Sequence, residues 1–207
     1  MNKDYLVVDF EFTQYWKREK QGNRPRGFFP EIIEIGAVKF DGETLDKTGE
    51  IQNFVRPHFY PNHIKEIMEF CMITEKDMKS AITFAEMLEK IRSYYSPGQT
   101  YFAAWGDADY NVLDEGCRRH NVENPVLRED YLDMAAWYKW EMGDGNTTGL
   151  RKATEEQCIN AEMLWHTACD DATNTGMLLK QLLADGWDPE EFLAANLTVN
   201  YATKYRD

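Results

Sequence analysis

The opening segment Asp4-Tyr5-Leu6-Val7-Val8-Asp9-Phe10-Glu11-Phe12-Thr13 constrains the fold more than any other stretch of the chain. Its apolar, β-branched run has the composition of a buried strand, yet two acids interrupt it near its end. Strand side chains alternate between faces, so residues i and i+2 point the same way. Asp9 and Glu11 therefore project side by side from one face of a sheet. Two carboxylates held that close repel each other, and burying an unpaired charge is costly. A cation between them removes both costs, and hard divalent cations prefer oxygen ligands. A strand end emerging into solvent would tolerate the same pair, so the rest of the chain has to decide.

With 207 residues, 43% of them hydrophobic, the chain has ample material for the core of one α/β domain spanning residues 1–207. No run approaches the roughly 18 apolar residues of a membrane span. The start, Met1-Asn2-Lys3-Asp4, lacks the apolar centre of a signal peptide. The expectation is a cytoplasmic protein with no membrane association. Cys71, Cys117, Cys158 and Cys169 are widely spaced, which suggests ordinary thiols in place of a zinc site or a disulfide framework.

The formal charge of −13 argues against a protein that coats long nucleic acid, because phosphate contacts reward cationic surfaces. An enzyme that grips a short strand end is not excluded. Two divalent ions on four carboxylates would bring −13 to −9 and make the site locally attractive. A basic cluster, Lys17, Arg18, Lys20, Arg24 and Arg26, follows the opening strand and reads equally as a solvated loop or as a phosphate contact.

Further along, residues 31–40 read as a second, largely buried strand ended by the hairpin signal Asp41-Gly42. Residues 50–55 read as a third strand, and 58–79 as an irregular stretch with short helices. Apolar positions at helical spacing place a helix over 84–95. A fourth strand over 100–105 leads through Gly106-Asp107 into a helix over 108–120. A short strand at 130–133 and a helix over 134–142 follow. Thr147 or Thr148 can cap a helix reaching about 157. A helix over 169–184 and a last one opened by Asp188-Pro189 complete the order, and the tail from about 200 reads as loosely attached. Antiparallel strands followed by strand–helix alternation predict a mixed sheet flanked by helices.

Two further acidic sites stand beside the first. Asp107 and Asp109 lie just past the fourth strand, where α/β folds commonly build a functional crevice; Asp107 fits a helix cap, and Asp109 either role. In the segment His166 to Thr175, Asp170 reads as an N-cap with Asp171 starting the helix. His166 suits proton transfer near neutral pH, although a surface histidine–carboxylate pair has the same sequence signature.

Asp9-x-Glu11, then Asp109, then His166-x-x-x-x-Asp171 resembles the DEDDh branch of the DnaQ-like 3′–5′ exonucleases. The resemblance implies a ribonuclease H-like fold and two divalent ions, Mg²⁺ or Mn²⁺. By motif, Asp9 falls on both ions, Glu11, Asp109 and Asp171 become the other ligands, and His166 becomes the general base. Asp109 is chosen over Asp107 because the family places three residues between its aspartate and a buried apolar position, here Leu113. Asp171 is chosen over Asp170 because the family's histidine and aspartate lie five apart. Trp105-Gly106-Asp107 and the stretch His166 to Thr175 are similar to the Eri-type exoribonucleases. Asp9 to Thr13 together with Gly27 to Glu34 look most like the bacterial KapD group, called sporulation inhibitors.

The reaction so implied is hydrolysis of single-stranded RNA, or of a 3′ overhang, from the 3′ end, releasing nucleoside 5′-monophosphates. Phe12 can stack on the terminal base, with Thr13 beside it near the sugar; core packing is the alternative for Phe12. Where the family often has Leu-Thr-Gly-Ile, this chain has Cys71-Met72-Ile73-Thr74, so Met72 or Ile73 takes the apolar contact to the base. Trp105 is a further candidate contact, better placed as a core anchor. Two rival readings stay open: a DNA-directed exonuclease, since the motif does not discriminate the sugar, and a regulatory protein that binds a partner in a signalling pathway.

Overall fold

The computed structural model describes residues 2–14, 26–62, 64–143, 148–161 and 166–195. Its centre is β1 (Asp4–Phe12), the middle strand of a five-stranded sheet in the order β3-β2-β1-β4-β5. β2 (Ile32–Phe40) and β3 (Lys47–Phe54) extend it antiparallel on one side, while β4 (Thr100–Ala104) and β5 (Tyr131–Asp133) extend it parallel on the other. The aliphatic run of β1 is buried because helices cover both faces, as a central strand requires.

The two faces of β1 read off directly from its alternation. Leu6, Val8 and Phe10 pack against α3 (Phe84–Tyr94) and α4 (Ala108–His120). Tyr5 and Val7 pack against α5 (Met134–Met142) and α7 (Ala168–Ala184). Asp9 and Glu11 continue this second row, so the acids rise on the face covered by α7. A third, smaller apolar cluster joins Ile33 to Ile67, Cys71 and Ile73. It fastens α1 (Lys65–Phe70) and the turn after it beside the end of β1. α2 (Glu75–Lys79) and α6 (Leu150–Glu156) are further short helices, and residues 189–195 are helical as well.

Several local expectations shift. The third strand starts at Lys47, and its link to β2 is a loop in which Asp41 Oδ1 accepts the amides of Glu43 and Thr44, in place of a two-residue hairpin. α6 starts after Gly149, and Thr148 does not cap it; Thr147 and the tail from 200 lie outside the described residues. Asp107 occupies the N-cap position of α4 without a side-chain cap bond. α7 begins at Ala168 with Thr167 as N-cap, which puts Asp170 and Asp171 together in its first turn. The capping reading of Asp170 fails because the N-cap lies three residues earlier, at Thr167.

Candidate active site

Parallel pairing of β1 with β4 stops at Val7–Ala103, so β1 runs on past its neighbour. The main-chain N–H of Phe10 is thereby left without a β4 partner, and Asp109 Oδ1 accepts it at 2.9 Å. Asp109 reaches this position because the chain turns sharply from β4 into α4 at Gly106, whose φ of +101° suits glycine. The Tyr131 hydroxyl donates to the Gly106 carbonyl and braces the turn. Asp109 is only 5% exposed, while the neighbouring Asp107 is exposed and stands outside.

On the other face, the first turn of α7 brings Asp171 to the β1 acids. Asp9, Glu11 and Asp171 each offer one carboxylate oxygen, and these atoms lie within 4.8 Å of one another. Asp171 Oδ1 is buried without a hydrogen-bond partner, and its other oxygen accepts the main-chain N–H of His166 at 3.1 Å. His166 is exposed, adopts φ +68°, and rests its ring 4.6 Å from that of Phe70.

The electrostatics follow from this crowding. Burial pushes the Asp9 carboxyl well above the usual carboxylate range, and the charges of Asp109, Asp171, Glu11 and Glu34 push it further. Asp109 is raised to about 7, chiefly by burial, against the lowering effect of the Phe10 amide. Burial also raises Glu11, with hydrogen bonding from the Cys71 thiol pulling the other way. Asp171 is raised by burial and lowered by its bond from His166 and by the His166 charge. Each group is thus short of positive charge. The orphaned Asp171 oxygen and the convergence of three oxygen donors fit a hard divalent cation, which prefers such ligands. Burial with little compensation is also the setting in which functional acids are found.

The other sequence candidates fall into two groups. Thr13 is fully buried, and its hydroxyl and amide both bond to the Glu31 main chain, so it closes the end of β1. Ile73 is buried in the third apolar cluster. These two belong to the scaffold, because their contacting groups are already used. Phe12 is half-buried against the main core. Trp105 packs beside Tyr138 and donates from Nε1 to the Thr148 carbonyl. Met72 is open, 57% exposed at φ +58°, on the turn after α1. Of the basic cluster, Arg26 is exposed and the other four residues lie outside the described residues.

Three neighbours of the site were not singled out from sequence. Glu34 stands directly across from Glu11 in the β1–β2 register. Cys71 hydrogen-bonds Glu11, and Phe70 meets His166. The one available signal was Glu34, an acid set among the apolar residues that open its strand.

Comparison with known proteins identifies the family. The RNase_T family model, described as exonuclease, matches residues 6–179. A Bacillus subtilis protein described as probable 3′-5′ exonuclease KapD is 31% identical over 180 residues, covering 87% of this chain and 84% of the relative. Human ERI1 exoribonuclease 2 is 27% identical over 206 residues, covering 88% of this chain but only 29% of that longer protein. Among solved structures, the nuclease domain of 3′hExo, a DEDDh family member bound to rAMP, superposes with a TM-score of 0.76 at 21% identity, covering 89% of this chain and 94% of that one. The fold is therefore ribonuclease H-like, and the chain belongs to the RNase_T family of exonucleases.

Proposed function

We propose that the chain removes nucleotides one at a time from the 3′ end of single-stranded or overhanging RNA, releasing nucleoside 5′-monophosphates. The enzyme is a metal-dependent 3′–5′ exonuclease. The observation that carries the site assignment is the convergence of Asp9, Glu11 and Asp171 oxygens within 4.8 Å, with Asp109 tied to the same strand at Phe10. In this reading Asp9, Glu11, Asp109 and Asp171 hold two divalent ions, Mg²⁺ or Mn²⁺. When bound, such ions lower the pKa of water and stabilise the charge that develops on the leaving oxygen.

The protein's own part is positioning and proton transfer. His166 lies at the mouth of the site, exposed, with its main chain fixed by Asp171 and its ring against Phe70. From there its imidazole can take the proton of the attacking water. The 3′-terminal base would lie against the open side chain of Met72, with Phe12 at the edge of the same region. The RNA preference is supported by resemblance to the exoribonuclease relatives. Residues 1–207 are read as one exonuclease unit. No helix among the described residues is long and apolar enough to cross a membrane.

A time course on end-labelled RNA and on a DNA oligonucleotide of matched sequence, with and without Mg²⁺, tests this proposal. Wild type should shorten RNA from the 3′ end only with the ion, and His166→Ala should slow this by about 10²–10⁴-fold. Equal or faster cleavage of DNA would overturn the RNA assignment. Ion-independent cleavage would overturn the site.

A further inference from the structure

Asp171 and His166 reach the β1 acids only if the first turn of α7 sits at the right height above the sheet. Two residues of β2 define that height. Gly36 is the register partner of Asp9, and Glu34 that of Glu11, so both face α7 alongside the acids. A Cβ built on Gly36 would lie 2.1 Å from the Ala168 carbonyl carbon and 2.2 Å from the Cys169 nitrogen. The backbone of α7 therefore rests directly on β2, in a gap that only glycine leaves. Glu34 is 3% exposed, beside that contact, with Oε2 lacking any hydrogen-bond partner. The Ala168 main-chain N–H hydrogen-bonds its carboxylate. Thr167, at the N-cap, supplies no side-chain bond to α7. The first-turn amides of a helix need an acceptor, and the helix dipole favours negative charge there.

We infer that Glu34 is a positioning residue: as an acceptor reaching across from β2 it caps α7 over the Gly36 gap and so sets Asp171 and His166 against Asp9 and Glu11. Glu34 touches no substrate in this scheme and acts through the placement of its neighbours. The inference rests on the divalent-ion reading above and adds to it a residue outside the DEDDh set. Supporting groups around metal ligands typically change affinity by about 10- to 100-fold when removed.

The test measures Mn²⁺ binding by calorimetry without nucleic acid, alongside kcat and KM on end-labelled RNA. The variants are Glu34→Ala, Glu34→Gln and Gly36→Ala, each checked for folding by circular dichroism. Glu34→Ala should weaken Mn²⁺ binding by about 10- to 100-fold and lower kcat with KM little changed. Glu34→Gln should restore most of both, because its amide oxygen still accepts from Ala168. Gly36→Ala keeps Glu34 but lifts the helix, and should lose ion affinity in the same way. If Glu34→Ala does not fold, the other two variants carry the test. Wild-type ion affinity in a folded Glu34→Ala or Gly36→Ala overturns the inference, as does a Glu34→Gln that binds no better than a folded Glu34→Ala or, where that variant does not fold, no better than Gly36→Ala. A wild type that binds no Mn²⁺ overturns the divalent-ion reading instead, and the inference with it.

Discussion

Two groups of acids enclosed in this fold are treated in opposite ways. Asp130 is 1% exposed, yet its carboxylate receives the Tyr95 hydroxyl at 2.6 Å, the Gly98 amide at 2.7 Å and the Lys3 ammonium at 3.3 Å. Glu31 is likewise buried and accepts the amides of His58, Phe59 and Tyr60. Asp9, Glu11, Asp109 and Asp171 are instead packed near one another, raised above their ordinary range, with a buried oxygen of Asp171 left unbonded. A fold that satisfies Asp130 and Glu31 so fully can supply donors where structure needs them. Leaving the other four short is the arrangement expected where a cation completes the site.

The contrast is broken most severely by substitution at its two poles. Asp9→Ala should reduce kcat on end-labelled RNA by on the order of 10³-fold or more, the scale seen when a central group of a cooperating set is lost. The ion-free melting temperature should stay the same or rise, because one repelling charge is gone. Asp130→Ala should do the reverse. Removing it strands the Tyr95 hydroxyl and the Gly98 amide, costing about 3 kcal/mol in denaturant unfolding, while kcat per folded molecule stays near wild type. If Asp9→Ala destabilised the ion-free protein as much as Asp130→Ala, the two classes of acid would be one.

A pH titration sharpens the same comparison. With Asp109 raised to about 7 in the fold against about 3.9 in the unfolded chain, the folded state binds more protons between those values. Ion-free stability should therefore fall as pH rises through this window. The melting temperature without ions is expected to be higher near pH 5 than near pH 8. Saturating Mg²⁺ should recover the loss at pH 8, contributing about 2.7 kcal/mol at a hundred times its dissociation constant. Asp41, Asp77 and Glu86 are held below their ordinary range by nearby donors, so their contribution is lost as pH falls and has the opposite sign to that of Asp109. A profile that is flat without ions would remove the electrostatic basis of the contrast.

The smallest effect belongs to the open rim. Met72→Ala should raise KM by roughly fivefold, equivalent to about 1 kcal/mol of lost apolar contact, with kcat little changed. A larger fall in kcat than rise in KM would place Met72 in the alignment of the reacting bond, not in base binding.

Legibility followed the range of the interactions involved. The β1 strand and the shared face of Asp9 and Glu11 could be read because the two-residue alternation is local. α4 was readable over 108–120 for the same reason, its pattern and flanking glycine being contained in one stretch. The start of α7 was misjudged at Asp170, since the acceptor for its first turn comes from Glu34 on another strand and not from its own cap. Thr13 looked available to substrate, but its hydroxyl had already met the Glu31 amide eighteen residues away. Cys71 looked like an ordinary buried thiol because nothing in its neighbourhood announces a bond to Glu11.

What this sequence determined by itself was therefore the inventory: two acids on one face of a central strand, a third at a strand-to-helix junction, and a fourth five residues after a histidine. Local periodicity and motif order carry that information without any knowledge of packing. Tertiary structure alone decided the convergence of Asp171 with Asp9 and Glu11, the capture of the Phe10 amide by Asp109, and the opposition of Glu34 to Glu11. These depend on strand register, on where β4 stops pairing, and on how closely a helix can rest on a glycine, all of them distances between residues remote in the chain.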